Sequence, residues 1–243
     1  MGTARLFNKI LHRELDIHAA WLPATNNFAV GDYGVFSDGV FVKMGTIAEF
    51  GVPIRTAEGR PTELKFSSTG TRVHRVAGGV ATSVFPQADI DAKLVVEFAS
   101  ENSFYLHLPK IGVQEMPNIA EVARSLRAHD DWQRRYRVVG SAYTGEGCTI
   151  LSSRTAKAQV ELNAEAGVLR LLELGDITAG ITVGGADSAG LQVLGKTGVV
   201  GLRLFRLSLF GNPKVLGPDD EPGPEGVDDL VEFESAEEPD DDI

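Results

Sequence analysis

Residues 156–166 alternate between apolar and polar side chains without an exception over eleven positions. Successive side chains of a β-strand point to opposite faces of its sheet, so this alternation predicts a strand with one apolar and one polar face. Strands of soluble sheets usually have about five or six residues, whereas a strand that crosses a bilayer needs about 9–11 residues. The length therefore favours a strand that faces lipid on one side and water on the other. The apolar face consists of Ala156, Ala158, Val160, Leu162, Ala164 and Ala166.

The same alternation occurs in residues 88–98, where only Val95 departs from it. The preceding segment 71–85 is also typical of a strand, and Pro86-Gln87 at its end is typical of a turn. The sequence therefore predicts one hairpin over residues 71–98 and a second over residues 136–166. The apolar face of the 88–98 strand consists of Ala88, Ile90, Ala92, Leu94, Val96 and Phe98.

Two segments carry apolar side chains at helical spacing, residues 4–15 and residues 117–132. In the first of them the basic side chains lie largely off the apolar stripe, as in a docked amphipathic helix or a basic helix that touches anionic lipid. Because these helices are outnumbered by strand-like segments, we expect an α+β fold.

Shorter strands are predicted at both ends of the chain. Residues 28–54 contain apolar runs broken by glycine, and Asp38-Gly39 between two of them indicates a hairpin turn. Residues 191–210 predict two strands that are separated at Gly195–Gly198.

The acidic residues are concentrated at the C-terminus. Residues 218–243 hold 13 acidic and no basic side chains, which leaves 21 acidic and 23 basic residues in the first 217. The nearly neutral remainder carries no basic nucleic-acid footprint, so we expect no nucleic-acid partner. We divide the chain into a β-rich body, residues 1–213, and an acidic tail, residues 214–243.

No catalytic or metal-binding pattern is apparent. The five histidines are scattered, none pairs with another at the spacing of metal ligands, and Cys148 is the single cysteine. A Gly-rich phosphate loop ending in Lys-Ser or Lys-Thr is absent. We therefore expect no enzyme activity, no cofactor and no metal. Because neither a signal peptide nor a long apolar run is present, we expect a cytoplasmic protein in its inactive state.

The two-faced strands could enter a bilayer only as part of a larger assembly. A single inserted hairpin would leave backbone groups at its edges unpaired in hydrocarbon. A closed ring of many copies removes those edges. The alternation therefore predicts a conditional, oligomeric β-barrel pore.

The order of these elements resembles the pore-forming domain of gasdermins. The corresponding parts are LFNKILHRELD near the start, the hairpins 71–98 and 136–166, and the helix 117–132 between them. The resemblance implies a twisted antiparallel sheet with long hairpins and a few flanking helices. It also implies that the hairpins extend on insertion, and that a short C-terminal segment holds the protein inactive until a partner protease removes it. It further implies homo-oligomers, membrane lipid as a partner, a location at the cell inner membrane after activation, and a role in cell death or defence.

The acidic tail occupies the position of that inhibitory segment. Its apolar residues could dock on the body while its acids cover basic groups. The docking candidates are Val227, Leu230, Val231 and Phe233. A trypsin-like protease could cut after Lys214, and a caspase-like protease after Asp219 or Asp220.

Two other classes of protein fit the same sequence. A soluble α+β binding or structural protein would also contain alternating strands, with an acidic tail that serves solubility or partner docking. An enzyme would require a pocket with convergent ionisable groups. Leakage of dye from liposomes after proteolysis separates the pore former from both.

Overall fold

The computed structural model describes residues 2–86, 91–174, 181–185, 189–207 and 213–215. In chain order its helices and strands are α1 (Thr3–Leu15), β1 (His18–Ala19), β2 (Asp32–Ser37), β3 (Val40–Thr46), a 3-10 helix (Ile47–Phe50), β4 (Ala57–Glu58), β5 (Thr62–Ser67), β6 (Thr71–Ala77), β7 (Val80–Thr82), β8 (Asp91–Phe98), β9 (Phe104–Glu115), α2 (Ile119–Arg127), β10 (Arg137–Ser153), β11 (Ala158–Glu165), α3 (Ala166–Leu174), β12 (Thr182–Gly184), β13 (Ala189–Leu207) and β14 (Pro213–Val215). All recorded strand pairs are antiparallel, and the predicted α+β class is confirmed.

The main sheet has nine strands and is built around the long strands β9, β10 and β13. β10 has 17 residues and lies between β13 on one side and β2 and β9 on the other. The strand order is β1-β13-β10-β2-β3, with β14 on β13 and with β4 and β5 on β9. A separate small sheet has five strands in the order β12-β11-β8-β6-β7.

The predicted turn at Asp38-Gly39 is confirmed. Both residues have positive φ, 50° and 77°, and they join β2 to β3. A two-residue turn of this kind matches the twist of the strands that it connects.

Both predicted helices are present and pack through their apolar sides. α1 buries Phe7, Ile10 and Leu11, and it ends at Asp16, whose φ of 54° is left-handed. α2 is shorter than the predicted segment 117–132. Its buried residues are Val122, Ala123 and Leu126.

The predicted break at Gly195–Gly198 is wrong, because β13 runs through it as one strand of 19 residues. At this point the pairing of β13 with β10 shifts its register. Gly145 lies opposite Gly198 and Cys148 opposite Lys196, so three steps along β10 correspond to two along β13. A bulge of this kind bends the pair without ending either strand.

Of the two predicted hairpins, the first is confirmed only in the pairing of its two segments, and the second is wrong. The predicted strand 71–85 ends at Ala77, where Gly78 and Gly79, both with positive φ, turn the chain into β7. The predicted turn residue Gln87 lies outside the described residues. β6 pairs with β8 from Thr71 opposite Phe98 to Ala77 opposite Ala92. β10, in contrast, belongs to the main sheet, whereas β11 pairs with β8 in the small sheet. The chain changes sheets after Ser153, through a short turn in which Lys157 has a φ of 57°. Neighbourhood in sequence therefore did not determine pairing here.

Candidate functional site

The two alternating segments lie side by side in the small sheet. β8 and β11 form eight pairs, from Ala158 opposite Phe98 to Glu165 opposite Asp91. Residues directly opposite one another in an antiparallel pair point to the same face. Leu162, for example, lies opposite Leu94. The register therefore merges the two apolar faces into one continuous apolar surface, which we call the apolar face.

The apolar face is buried within the protein. Val96, Val160 and Leu162 each have 0% exposed surface. α3 follows β11 directly, since Glu165 ends the strand and Ala166 begins the helix. The buried residues that pack with this face from outside β8 and β11 are Phe85, Tyr105, Leu151, Ala166, Leu169 and Leu172.

Eight of the twelve residues predicted for the lipid-facing surface lie on this face within β8 and β11. They are Ala92, Leu94, Val96, Phe98, Ala158, Val160, Leu162 and Ala164. All are buried except Ala164, which is half-buried. Ala88 and Ile90 lie outside the described residues.

The predicted ends of the 156–166 strand are wrong. Ala156 is exposed in the turn before β11, and Ala166 is the first residue of α3, so the strand has eight residues instead of eleven. Alanine is the best helix former and has no strong preference for strands. Ala156 and Ala166 therefore continue the alternation in the sequence, but they do not determine where the strand begins and ends.

The opposite face of the small sheet carries paired polar side chains. Lys93 Nζ lies 3.3 Å from Glu161 Oε1, and His74 Nε2 lies 3.3 Å from Glu97 Oε2. Gln159 donates a hydrogen bond to Glu161 from the same strand. Apart from Val95, which is buried on this face, the surface suits water, as the alternation predicted.

Both edge strands of the small sheet have only three residues. β7 pairs with Arg75–Ala77 of β6, and β12 pairs with Glu161–Asn163 of β11. Within the described part of the chain, no strand pairs with the outer edge of β6 at residues 71–74. The short strands β7 and β12 therefore cover only part of the outer edges of β6 and β11.

Residues 167–174, which form all of α3 except Ala166, belong to no predicted element. Ala166, Leu169 and Leu172 recur every three residues and are all buried. That spacing is typical of one side of a helix. It is the signal that would have predicted a helix beside the strand.

Two basic surfaces lie away from the small sheet. On α1, Arg5, Lys9 and Arg13 are exposed and recur every four residues, so they share one side of the helix.

The second basic surface crosses strands β10, β13 and β14. Arg206 lies opposite Lys214, and Val138 opposite Phe205 places Arg137 beside Arg206. We call Arg137, Arg206 and Lys214 the cationic row.

The predicted boundary between body and tail falls inside β14. The remaining tail candidates, Asp219, Asp220, Val227, Leu230, Val231 and Phe233, lie outside the described residues.

Among the described residues, no group of three or more His, Cys, Asp or Glu side chains could hold a metal ion. In the same part of the chain, no helix is both long and apolar enough to cross a bilayer.

Comparisons with known proteins found matches among solved structures. The chain is similar to the structure of a bacterial gasdermin from Bradyrhizobium tropiciagri, with 14% identity and a TM-score of 0.37 over 81% of this chain and 85% of that chain. It is also similar to the cryo-EM structure of the gasdermin A3 membrane pore, with 12% identity and a TM-score of 0.37 over 89% of this chain and 94% of that chain. Both are gasdermins, the family that the order of elements resembles. No family model matches the sequence, and no curated protein matches it.

Proposed function

We propose that the chain is an autoinhibited pore-forming protein whose copies assemble into a membrane β-barrel after the C-terminal segment is removed. The observation that carries this proposal is the register of β8 and β11, which joins two alternating strands into one sheet with an apolar and a polar face. Such a sheet can be stable in water while its apolar face is covered, and in a bilayer when that face meets lipid. The proposed outcome is cell death or defence.

Insertion requires the apolar face to lose its cover. α3 continues directly from β11 and packs against β8 as well as β11. Phe85 and the main-sheet residues Tyr105 and Leu151 belong to the same buried cluster. Exposure of Val160 and Leu162 to lipid would therefore require the small sheet to separate from α3 and from these residues. In the inactive, cytoplasmic protein the same contacts keep these side chains out of water.

The strand directions indicate how copies would join. β6 and β11 both lie antiparallel to β8, so they run in the same direction. Copies in a ring share one orientation, so three inserted strands per copy would make β6 meet the next β11 in parallel. β12 is antiparallel to β11. A lengthened β12 as the fourth strand would make the ring antiparallel throughout and leave no unpaired edge in hydrocarbon.

α1 is the proposed first contact with the membrane. Arg5, Lys9 and Arg13 lie on its exposed side, and basic side chains near anionic lipid each contribute about 1 kcal/mol to binding. The surface would be the inner face of the cell membrane, which is rich in anionic lipid.

The cationic row supports the inhibitory role of the tail. Lys214 is five residues before Asp219, the first of 13 acidic residues that follow without a base. Acids held near the row would attract its positive charges and would add to the hydrogen bonds that Arg137 already donates to backbone carbonyl oxygens. We propose that the tail lies over the body, with its acids near this row and its apolar residues (Val227, Leu230, Val231 and Phe233) docked.

The proposed protease would cut between the body and these acids. Lys214 lies in β14 and is paired with β13, so cleavage after it requires β14 to separate from its neighbour. The alternative sites are Asp219 and Asp220.

Proteolysis beside dye-loaded anionic liposomes tests the proposal. The full-length protein is treated with a trypsin-like or a caspase-like protease, and mass spectrometry locates each cut. We expect dye release only after a cut within residues 214–220. Equal release before and after cleavage would disprove autoinhibition. Intact liposomes after every cut would disprove pore formation.

A matched pair of variants tests the direction of the two faces. Ala164→Lys places a charge on the apolar face, at a half-buried position from which a long side chain reaches water in the soluble protein. Gln159→Lys adds the same charge to the polar face of the same strand. A lysine that faces lipid costs about 2–4 kcal/mol at the bilayer centre and less near the interface.

We expect Ala164→Lys to reduce dye release at least about tenfold, while Gln159→Lys retains it, since a cost of about 1.4 kcal/mol already corresponds to that factor. Urea unfolding of both variants shows whether each remains folded. Equal dye release from both folded variants would argue against a lipid-facing role.

The second candidate function is a soluble binding or structural protein. The complete burial of Val160 and Leu162 favours it, because an ordinary core strand shows the same burial. Under this alternative, no cut produces dye release.

A further inference from the structure

Two histidine rings are stacked where α1 meets the main sheet. His12 of α1 and His18 of β1 have ring centroids 4.2 Å apart and an interplanar angle of 20°. Both residues are only 4% exposed. Phe36 of β2 closes one side, with its ring centroid 4.9 Å from that of His18.

The surroundings of His18 oppose a positive charge. Neither of its ring nitrogens has a hydrogen-bond partner among the described residues. Burial, then His12, then Arg137 of β10 lower the pKa of His18 from 6.5 to about 3. The neutral ring is therefore the form that the docked helix accommodates.

Two carboxylates on neighbouring elements are paired with basic groups other than His18. Asp16, directly after α1, lies 3.3 Å from Arg203 of β13. Lys43 of β3 lies 2.8 Å from Asp32. Neither carboxylate accepts a hydrogen bond from His18.

The remaining contacts of α1 do not depend on this proton. Phe7, Ile10 and Leu11 pack against the body, and the backbone N–H of Ala19 donates a hydrogen bond of 2.7 Å to Asn8 Oδ1. Movement of α1 away from β1 would open the histidine stack to water. There His18 could take up a proton that it cannot hold in the stack.

We infer that the stacked His12–His18 pair makes the docking of α1 acid-sensitive, so that a fall in pH releases the helix from the main sheet. The sign follows from linkage. A group that binds a proton more tightly in the open form destabilises the closed form as the pH falls below its open-form pKa. The effect therefore begins near pH 6.5 and grows about tenfold per pH unit until the pKa of the docked form is reached.

Between pH 7.5 and pH 5.0, the open population of α1 is expected to rise about 30-fold. This device acts on the helix before any membrane is present. It is therefore independent of the proposed pore.

Hydrogen exchange of the full-length protein, without lipid, tests the inference. Exchange of residues 3–15 is measured at pH 7.5 and pH 5.0 and corrected for intrinsic exchange rates. We expect the opening equilibrium to rise about 30-fold in the natural protein. An unchanged opening equilibrium would overturn the inference.

Two variants show whether His18 is responsible. His18→Phe keeps an aromatic ring beside Phe36, and His18→Gln removes the ring; both remove the titrating group. We expect most of the rise to disappear in whichever variant keeps α1 protected at pH 7.5, while the control His129→Gln, at an exposed position, keeps it. A rise of the same size in a protected His18 variant would overturn the inference, as would its loss in the control. If His18→Phe and His18→Gln both leave α1 unprotected at pH 7.5, the stack is not replaceable, and the result for the natural protein decides alone.

Discussion

Replacement of Leu162 by alanine should be among the most damaging single changes in β11. Leu162 has no exposed surface and lies opposite Leu94 on one side and Val183 on the other. The change removes buried methyl and methylene groups and leaves a cavity under α3. Leucine-to-alanine changes in well-packed cores cost about 2–5 kcal/mol. Since a domain is stable by about 5–15 kcal/mol, this is a large share of the total.

The neighbouring residue provides a matched control. Glu161 lies on the polar face, and its ion pair with Lys93 has side chains that are 28% and 38% exposed. A solvent-exposed pair of this kind contributes about 0–1 kcal/mol. Glu161→Ala should therefore cost less than 1 kcal/mol, although it changes the same strand one position away.

Equilibrium urea unfolding measures both changes. With a slope of about 3 kcal/mol per molar urea, a loss of 3 kcal/mol lowers the midpoint by about 1 M. We expect a shift of that size for Leu162→Ala and little shift for Glu161→Ala. If Glu161→Ala costs as much as Leu162→Ala, the assignment of the two faces is wrong.

Two further experiments test the main sheet. The pKa of the Cys148 thiol is raised to about 12 by burial; we therefore expect no reaction with a thiol reagent at pH 8 until urea unfolds the protein, and rapid labelling of the folded protein would contradict this burial. A Cβ at Gly198 would lie 2.8 Å from the carbonyl oxygen of Ala24. Gly198→Ala should thus lower stability by about 1–3 kcal/mol in thermal unfolding, and an unchanged melting temperature would contradict this close approach.

Local signals in the sequence were sufficient for several elements. Asp38-Gly39 specifies its turn through the positive φ that both residues tolerate. The apolar spacing in α1 and α2 likewise reflects contacts within one helix turn. In each case the determining interaction lies within a few residues, so a single segment contains it.

Which strands pair depends on contacts between residues that are far apart in the sequence, so no single segment specifies the pairing. β10 and β11 are consecutive, yet they belong to different sheets, because β11 finds its partner in β8. Alternation specified which side chains share a face, and it did so correctly for Leu94 and Leu162. It carried no information about which strand would lie beside them.

The two alternating strands of the candidate site were predicted in separate hairpins, whereas their pairing with each other and their cover by α3 were missed. The buried residues of α3, Ala166, Leu169 and Leu172, recur at a spacing typical of a helix, but this repeat spans only two turns and shares Ala166 with the preceding alternation. Its structure follows from packing on the apolar face. Tertiary contacts of this kind override weak local preferences.

The incomplete margins of the small sheet affect how the protein behaves when it is concentrated. An uncovered strand edge is a template on which another chain can add. Along the open part of β6, the exposed side chains are Arg72 and His74, and the positive charge of Arg72 repels the same charge on an identical edge. Salt screens such repulsion beyond about 8 Å at physiological ionic strength, and at shorter distances when the salt concentration is higher. Purified samples should accordingly remain dispersed in dilute buffer and be most prone to ribbon-like aggregation during salting-out.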